Sequence, residues 1–121
     1  MATVLTQRPA DEGFLIAEAN GGISREVINL AAGDYDAGSV VISDGGNYAL
    51  ATQALVDADV DHNAKYAIVL RRTSSTAVVR AAVIARHARV KDSELITGAG
   101  LTVAEAEPLL AKTQIILSAA N

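Results

Sequence analysis

The order of apolar and polar positions along the chain reads mainly as strands. "REVINLAAG" sets Val27 on one side and Glu26, Ile28 and Leu30 on the other. The alternation is imperfect, but the β-branched content favours a strand. "GDYD" reads as a loop and "AGSVVIS" as a second strand. "DGG" at 44–46 is a hairpin signal leading into "NYALAT". "VDADVDHNA" reads as an acidic loop, "KYAIVLRR" as a strand and "TSST" as a break. In "AVVRAAVIARHARVK" the even positions include Arg80 and Arg86, the odd ones Val79, Val83 and Ala85. The alternation slips midway, which predicts a bulge or bend. "TQIILSA" closes the series as a strand.

One segment reads as a helix. In "LTVAEAEPLLAK", Thr102 and Glu105 have the spacing of a capping box, and Leu101 and Ala106 can staple across it. Pro108 lies too deep for a first-turn proline and is expected to kink or shorten the helix. The pattern therefore predicts six or seven strands, one short helix and no internal repeat. That is a mainly β (α+β) fold, a small barrel-like or sandwich domain.

The amino-terminal stretch differs. Residues 1 to about 13 have weak periodicity and turn-prone chemistry, including Pro9, Asp11 and Gly13, and read as a mobile arm. "GFLIAEA" then gives a short apolar run, and "NGG" at 20–22 a turn. The expected division is an arm over 1–22 and a single β-rich domain over 23–121.

Composition narrows the choice. The chain of 121 residues suits one domain. Half its residues are hydrophobic, yet only Phe14, Tyr35, Tyr48 and Tyr66 are aromatic, so Ala, Val, Ile and Leu must fill the core. A large aromatic-walled ligand pocket suits this composition poorly. The absence of cysteine excludes thiol catalysis, disulfides and cysteine metal sites. No signal-peptide pattern or membrane-spanning apolar run is seen, and a soluble cytoplasmic product is expected.

The net charge of −4 is unevenly spread: −8 over residues 1–61, +7 over 62–91 and −3 over 92–121. Lys65, Arg71, Arg72, Arg80, Arg86, Arg89 and Lys91 make up the basic middle. One reading is a small binding module for nucleic acid or an acidic protein. The plainer reading is solvated or partner-facing strand positions balanced by acidic neighbours. The segment lacks the interleaved aromatics of a single-strand binder. The acidic overall balance also opposes phosphate attraction.

Catalytic and metal motifs are broken. Asp57, Asp59 and Asp61 have the one-three-five spacing of a calcium loop, but His62 stands where glycine is needed and Ile68 where glutamate is needed. His62 and His87 are the only histidines, and His87 lies beside Arg86 and Arg89, which oppose a cation. Ser39 lacks the second glycine of a nucleophile elbow. "GAG" at 98–100 lacks the rest of a dinucleotide fingerprint. No catalytic residue, cofactor or metal is expected, which favours a structural or interaction protein. An enzyme site assembled between subunits is the remaining rival.

Three stretches, in order and spacing, resemble the head decoration (cement) proteins of tailed bacteriophages, the family of the phage lambda decoration protein. They are "FLIAEANGGISREVINLAAG" with "YDAGSVV", then "YAIVLRRTSST", then "ARHARVKDSELI" followed by a helix and "QIIL". Together they cover roughly residues 14–118. The resemblance implies a virion protein on the outer capsid surface, present in the host cytoplasm during assembly. It implies a homotrimer at quasi-threefold positions of the expanded head, bound to the major capsid protein and reinforcing it against internal DNA pressure. It implies no direct nucleic-acid or membrane contact. Its arm is loose when free and orders on the shell, with Arg8, Pro9, Phe14, Leu15 and Ile16 as the gripping residues. Ser24 and Arg25 fall at the arm–body junction, where the plain alternative for Arg25 is an exposed strand-end arginine. Arg86, His87 and Arg89 are the candidate subunit interface.

An arm of this kind faces an energetic constraint. Burying Phe14, Leu15 and Ile16 contributes roughly 1.5 to 3 kcal/mol each. Ordering a dozen residues costs roughly 1 to 2 kcal/mol apiece as an upper bound. Side-chain burial alone does not offset that, so the arm is expected to add a strand to a capsid-protein sheet.

Overall fold

The computed structural model describes residues 15–18, 24–43, 46–59, 64–98 and 100–118. Five strands come first: β1 (Leu15–Glu18), β2 (Arg25–Leu30), β3 (Gly33–Tyr35), β4 (Val40–Ser43) and β5 (Ala49–Leu50). Helix α1 (Gln53–Ala58) leads to β6 (Lys65–Val69), β7 (Thr73–Ser75), β8 (Val79–Ile84) and β9 (Ala88–Lys91). A 3-10 turn (Asp92–Glu94) and helix α2 (Val103–Ala111) precede β10 (Ile115–Ser118). The fold is mainly β, as the pattern predicts.

The central sheet has the order β2-β8-β6-β4-β5 and is antiparallel throughout. A second sheet, β1-β9-β10, pairs β9 antiparallel to β1 and parallel to β10. β3 and β7 form a two-stranded ribbon. Among the described residues no sheet closes into a barrel. The edges of the central sheet are tied at one point, where Tyr48 N–H donates to the Asn29 carbonyl (2.8 Å) and Ala31 N–H to the Tyr48 carbonyl (2.7 Å).

β4 and β6 run through the middle of the central sheet, and their side chains are buried on both faces apart from Lys65. One face, with Val40, Ile42, Tyr66, Ile68 and Ile84, packs against Ala88, Val90 and Ile115 of the second sheet and Ala106 and Leu110 of α2. The other face gathers Ile28, Leu30, Tyr35, Val41, Ala67, Val69 and Val83. In β2 the pattern follows the reading: Ile28 and Leu30 are buried, and Val27 is exposed.

The capping box is formed. The Thr102 hydroxyl accepts from Glu105 N–H (3.1 Å), and the Glu105 carboxylate accepts from Thr102 N–H (3.0 Å). Leu101 and Ala106 are both buried beside it. Pro108 does not end the helix, which continues to Ala111. Its missing N–H frees only the Ala104 carbonyl, at an exposed position, and buried Leu110 holds the following turn to the core.

Two local readings change. "GDYD" and "TSST" are not a loop and a break but contain β3 and β7, paired from Gly33↔Ser75 to Tyr35↔Thr73. The acidic stretch begins inside α1, whose Thr52 side chain caps Leu55 N–H (3.2 Å). A helix of six residues with none buried leaves too little periodicity to detect.

Two backbone and core features are unusual. Gly98 N–H donates to the Ala51 carbonyl at 2.7 Å, and a Cβ on Gly98 would stand 2.6 Å from that same oxygen. The Tyr66 hydroxyl is buried with no hydrogen-bond partner. Burial, with the nearby Asp59 charge, pushes its pKa up. Gly98→Ala is expected to lower stability by about 1 to 3 kcal/mol, because backbone must move to relieve the clash. Tyr66→Phe is expected to raise it by about 1 kcal/mol, since it removes an unpaired polar atom at little change in shape. Denaturant unfolding of both variants at one protein concentration checks the two signs.

Candidate functional site

Ser24, just ahead of β2, and the turn joining β8 to β9 meet at one corner. Ser24 is fully buried there. Its hydroxyl donates to the His87 carbonyl (2.7 Å), and its carbonyl accepts from Ala85 N–H (2.7 Å). One serine thus holds both sides of the β8–β9 turn. This turn is the bend that the slipping alternation predicts.

The turn is tight enough to force a left-handed residue. His87 has φ of 52°, and Gln114, just before β10, has φ of 64°. They lie side by side: His87 N–H donates to the Thr113 carbonyl (3.0 Å) and Ala88 N–H to the Gln114 carbonyl (3.2 Å). Non-glycine residues in this region carry strain of about 1 to 3 kcal/mol each, which surrounding structure must hold. Here the Ser24 bridge and the parallel β9–β10 pairing hold it.

Ion pairs close the corner. The Arg25 guanidinium grips Glu18 with two nitrogens, Nη2 to Oε1 at 2.7 Å and Nε to Oε2 at 2.8 Å. Glu18 ends β1 and Arg25 starts β2, so the pair ties the first strand to the body. The Arg25 hydrogen bonds hold the Glu18 carboxyl below the usual carboxylate range; burial opposes this and the Arg25 charge adds to it. Arg86 pairs with Glu26 one residue further along β2. Both acids escape a sequence reading, because a seven-residue and a sixty-residue separation leave no periodic signal.

The sequence-predicted residues now have places. Ser24, Arg25, Arg86, His87 and Arg89 come together at this corner. Leu15 and Ile16 lie in β1, which is paired to β9 from Leu15↔Val90 to Glu18↔Ala88. Leu15 packs against the core, and Ile16 is exposed. Arg8, Pro9 and Phe14 lie outside the described residues. The boundary expected at residue 22 thus falls beyond a strand that belongs to the body's own sheet.

A shallow cleft of about 250 Å³ opens here, lined by Ala17, Glu18, His87, Arg89, Gln114 and Ile116. A second groove, of about 360 Å³, lies between α2 and β10 and is lined by Asp92, Val103, Ala104, Glu107 and Leu117. Neither gathers a nucleophile with a base. Among the described residues no three His, Asp or Glu side chains stand close enough to hold a metal. Asp57 is part of α1, and the Asp59 carboxylate accepts from Ala64 N–H (3.1 Å); Asp61 and His62 lie outside the described residues. Among the described residues no helix is long and apolar enough to cross a membrane.

The basic middle does not form one stripe. Arg80 lies near the start of β8, and Arg86 lies in the turn beyond its end. Arg72 pairs with Asp36 (3.2 Å) and Arg86 with Glu26, both acids from the amino-terminal half.

The described residues form a small β body with ion pairs and shallow clefts at its surface. The family model of the bacteriophage lambda head decoration protein D matches residues 4–116. The chain belongs to that family. It is a phage head decoration protein, a structural component of the virion capsid. No curated protein and no solved structure matched it. The match begins before β1 and ends within β10, so the decoration body and the segment leading into it both fall inside the family pattern.

The lowered Glu18 pKa fixes a sign. The Glu18–Arg25 pair stabilises the fold above the ordinary carboxylate pKa, and the contribution is lost as pH falls through the folded value. Glu18→Gln is therefore expected to be less stable than the parent at neutral pH by about 1 kcal/mol or less. The gap is expected to vanish in acid. Paired unfolding curves across pH check this; a gap unchanged in acid would assign the effect to something other than the ion pair.

Proposed function

We propose that this decoration protein binds the expanded phage head as a homotrimer at quasi-threefold sites, where it reinforces the junctions between major capsid protein subunits against internal DNA pressure. It reaches those sites from the host cytoplasm during assembly. The observation that carries the reading is the family match over residues 4–116, which takes in the segment ahead of β1 together with the body.

The corner supports a division of labour. The body ends at a strand locked by Arg25 and Glu18. Residues ahead of β1, including Arg8, Pro9 and Phe14, are the gripping arm. The arm gains most by pairing its backbone with a capsid sheet, for the entropic reason given above. Three arms on one trimer engage in turn at high local concentration, so a weak single arm still holds. A trimer of fixed span meets all three sites only at the subunit spacing of the expanded shell, so maturation gates binding.

The test mixes the full chain with expanded heads lacking it and, separately, with procapsids, followed by sedimentation. Saturable binding to expanded heads alone is expected, falling by about a hundredfold or more when residues 1–14 are deleted. This deletion leaves β1 and the Glu18–Arg25 pair in place. Equal binding to procapsids would overturn the gating, and undiminished binding of the truncated chain would overturn the arm.

A further inference from the structure

The outward face of the β1-β9-β10 sheet is uncovered among the described residues. Ile16 and Ile116 are each 45% exposed on it. In register, Arg89 stands between Ala17 and Ile116, and His87 stands at the rim of the same cleft. The surface is apolar with a cationic edge. Arg89 is held in an outward position by a hydrogen bond from its Nη1 to the Ser118 hydroxyl (3.0 Å).

The groove on the other side of β10 is its counterpart. Val103, Ala104 and Leu117 give it an apolar lining, and Asp92 and Glu107 give it an acidic edge. Glu107 is exposed, and neither acid has an ion-pair partner among the described residues. Both surfaces have an apolar centre, and their edge charges are opposite. Ile116 and Leu117 are successive residues on β10, so their side chains leave opposite faces of one edge strand.

We propose that these are the two halves of one head-to-tail contact between copies of this chain, with Arg89 of one copy facing Glu107 of the next. The inference rests on the trimer reading above and names its interface. A single copy cannot bring the two surfaces together, because they face away from each other across β10. A second copy can, and the contact it makes is heterologous, so it propagates until a ring closes. Burial of Ile116 against the apolar groove supplies the adhesion, and the charges set the register and exclude the like-charged pairings.

Sedimentation velocity of the full chain over a concentration series tests this, with the parent, Arg89→Glu, Glu107→Arg and the double variant compared. The parent is expected to be a trimer. Each single reversal places like charges in contact and is expected to weaken association by about tenfold or more, and the double variant to recover most of it. Ile116→Asp, on the same face but outside the charge pair, is expected to weaken association in every background. All three sites are exposed, and circular dichroism verifies that each variant folds. A monomeric parent would overturn the trimer and this interface together. A trimeric parent with unaffected single variants would overturn the interface and leave the trimer standing. Single variants that dissociate without recovery in the double variant would overturn the pairing of Arg89 with Glu107.

Discussion

The central sheet has to be covered on both faces. β4 and β6 supply apolar side chains to both sides, and with almost no aromatic bulk no single layer can bury them all. The rest of the chain is arranged around that demand. β9, β10 and α2 cover one face, while β3, the residues around Tyr48 and the curl of β2 toward it cover the other. Small aliphatic residues permit this close layering, because Val, Ile and Ala on neighbouring strands interdigitate without the gaps that large rings leave. The unpartnered Tyr66 hydroxyl marks a place where a larger side chain had to be accommodated in that packing.

Covering the sheet sets the position of the corner around Ser24. β8 belongs to the central sheet and β9 to the covering one, so the chain must pass from one sheet to the other within Ala85, Arg86 and His87. The left-handed His87, the buried Ser24 and the Glu26–Arg86 pair gather at that crossing. β1 then adds to the free edge of β9, and Arg25 fastens it. The covering sheet thus carries β1 on one edge and β10 on the other.

Much of this architecture was legible in the residues. The strands at 25–30, 40–43, 65–69, 79–84 and 115–118 follow from apolar alternation or β-branched runs. The helix start at Thr102 follows from a capping chemistry that is local and therefore readable. The elements that were missed are short and make their contacts elsewhere. β3 and β7 have three residues each and meet across some forty positions of chain. α1 buries no residue fully and packs Val56 only partly against the core, and β1 reads as a sticky segment because its partner, β9, lies far along the sequence. Of the corner, Ser24, Arg25, Arg86, His87 and Arg89 could be named, but Glu18, Glu26 and Gln114 could not. Nothing near them in sequence indicates a partner.

By itself the sequence determined a mainly β domain with an aliphatic core, a capped late helix, no thiol chemistry, and a family pattern pointing to the phage head. These properties reside in residue types and in spacings of two to four positions, which act locally. Only the tertiary structure decided that one sheet is covered by another. It also decided that β1 joins the body, that the basic stretch is divided between the start of β8 and the turn beyond its end, and that an acidic groove and a basic face flank one strand. Those facts depend on pairings between distant residues, and the free energy of such a pairing belongs to neither residue until the fold brings them together.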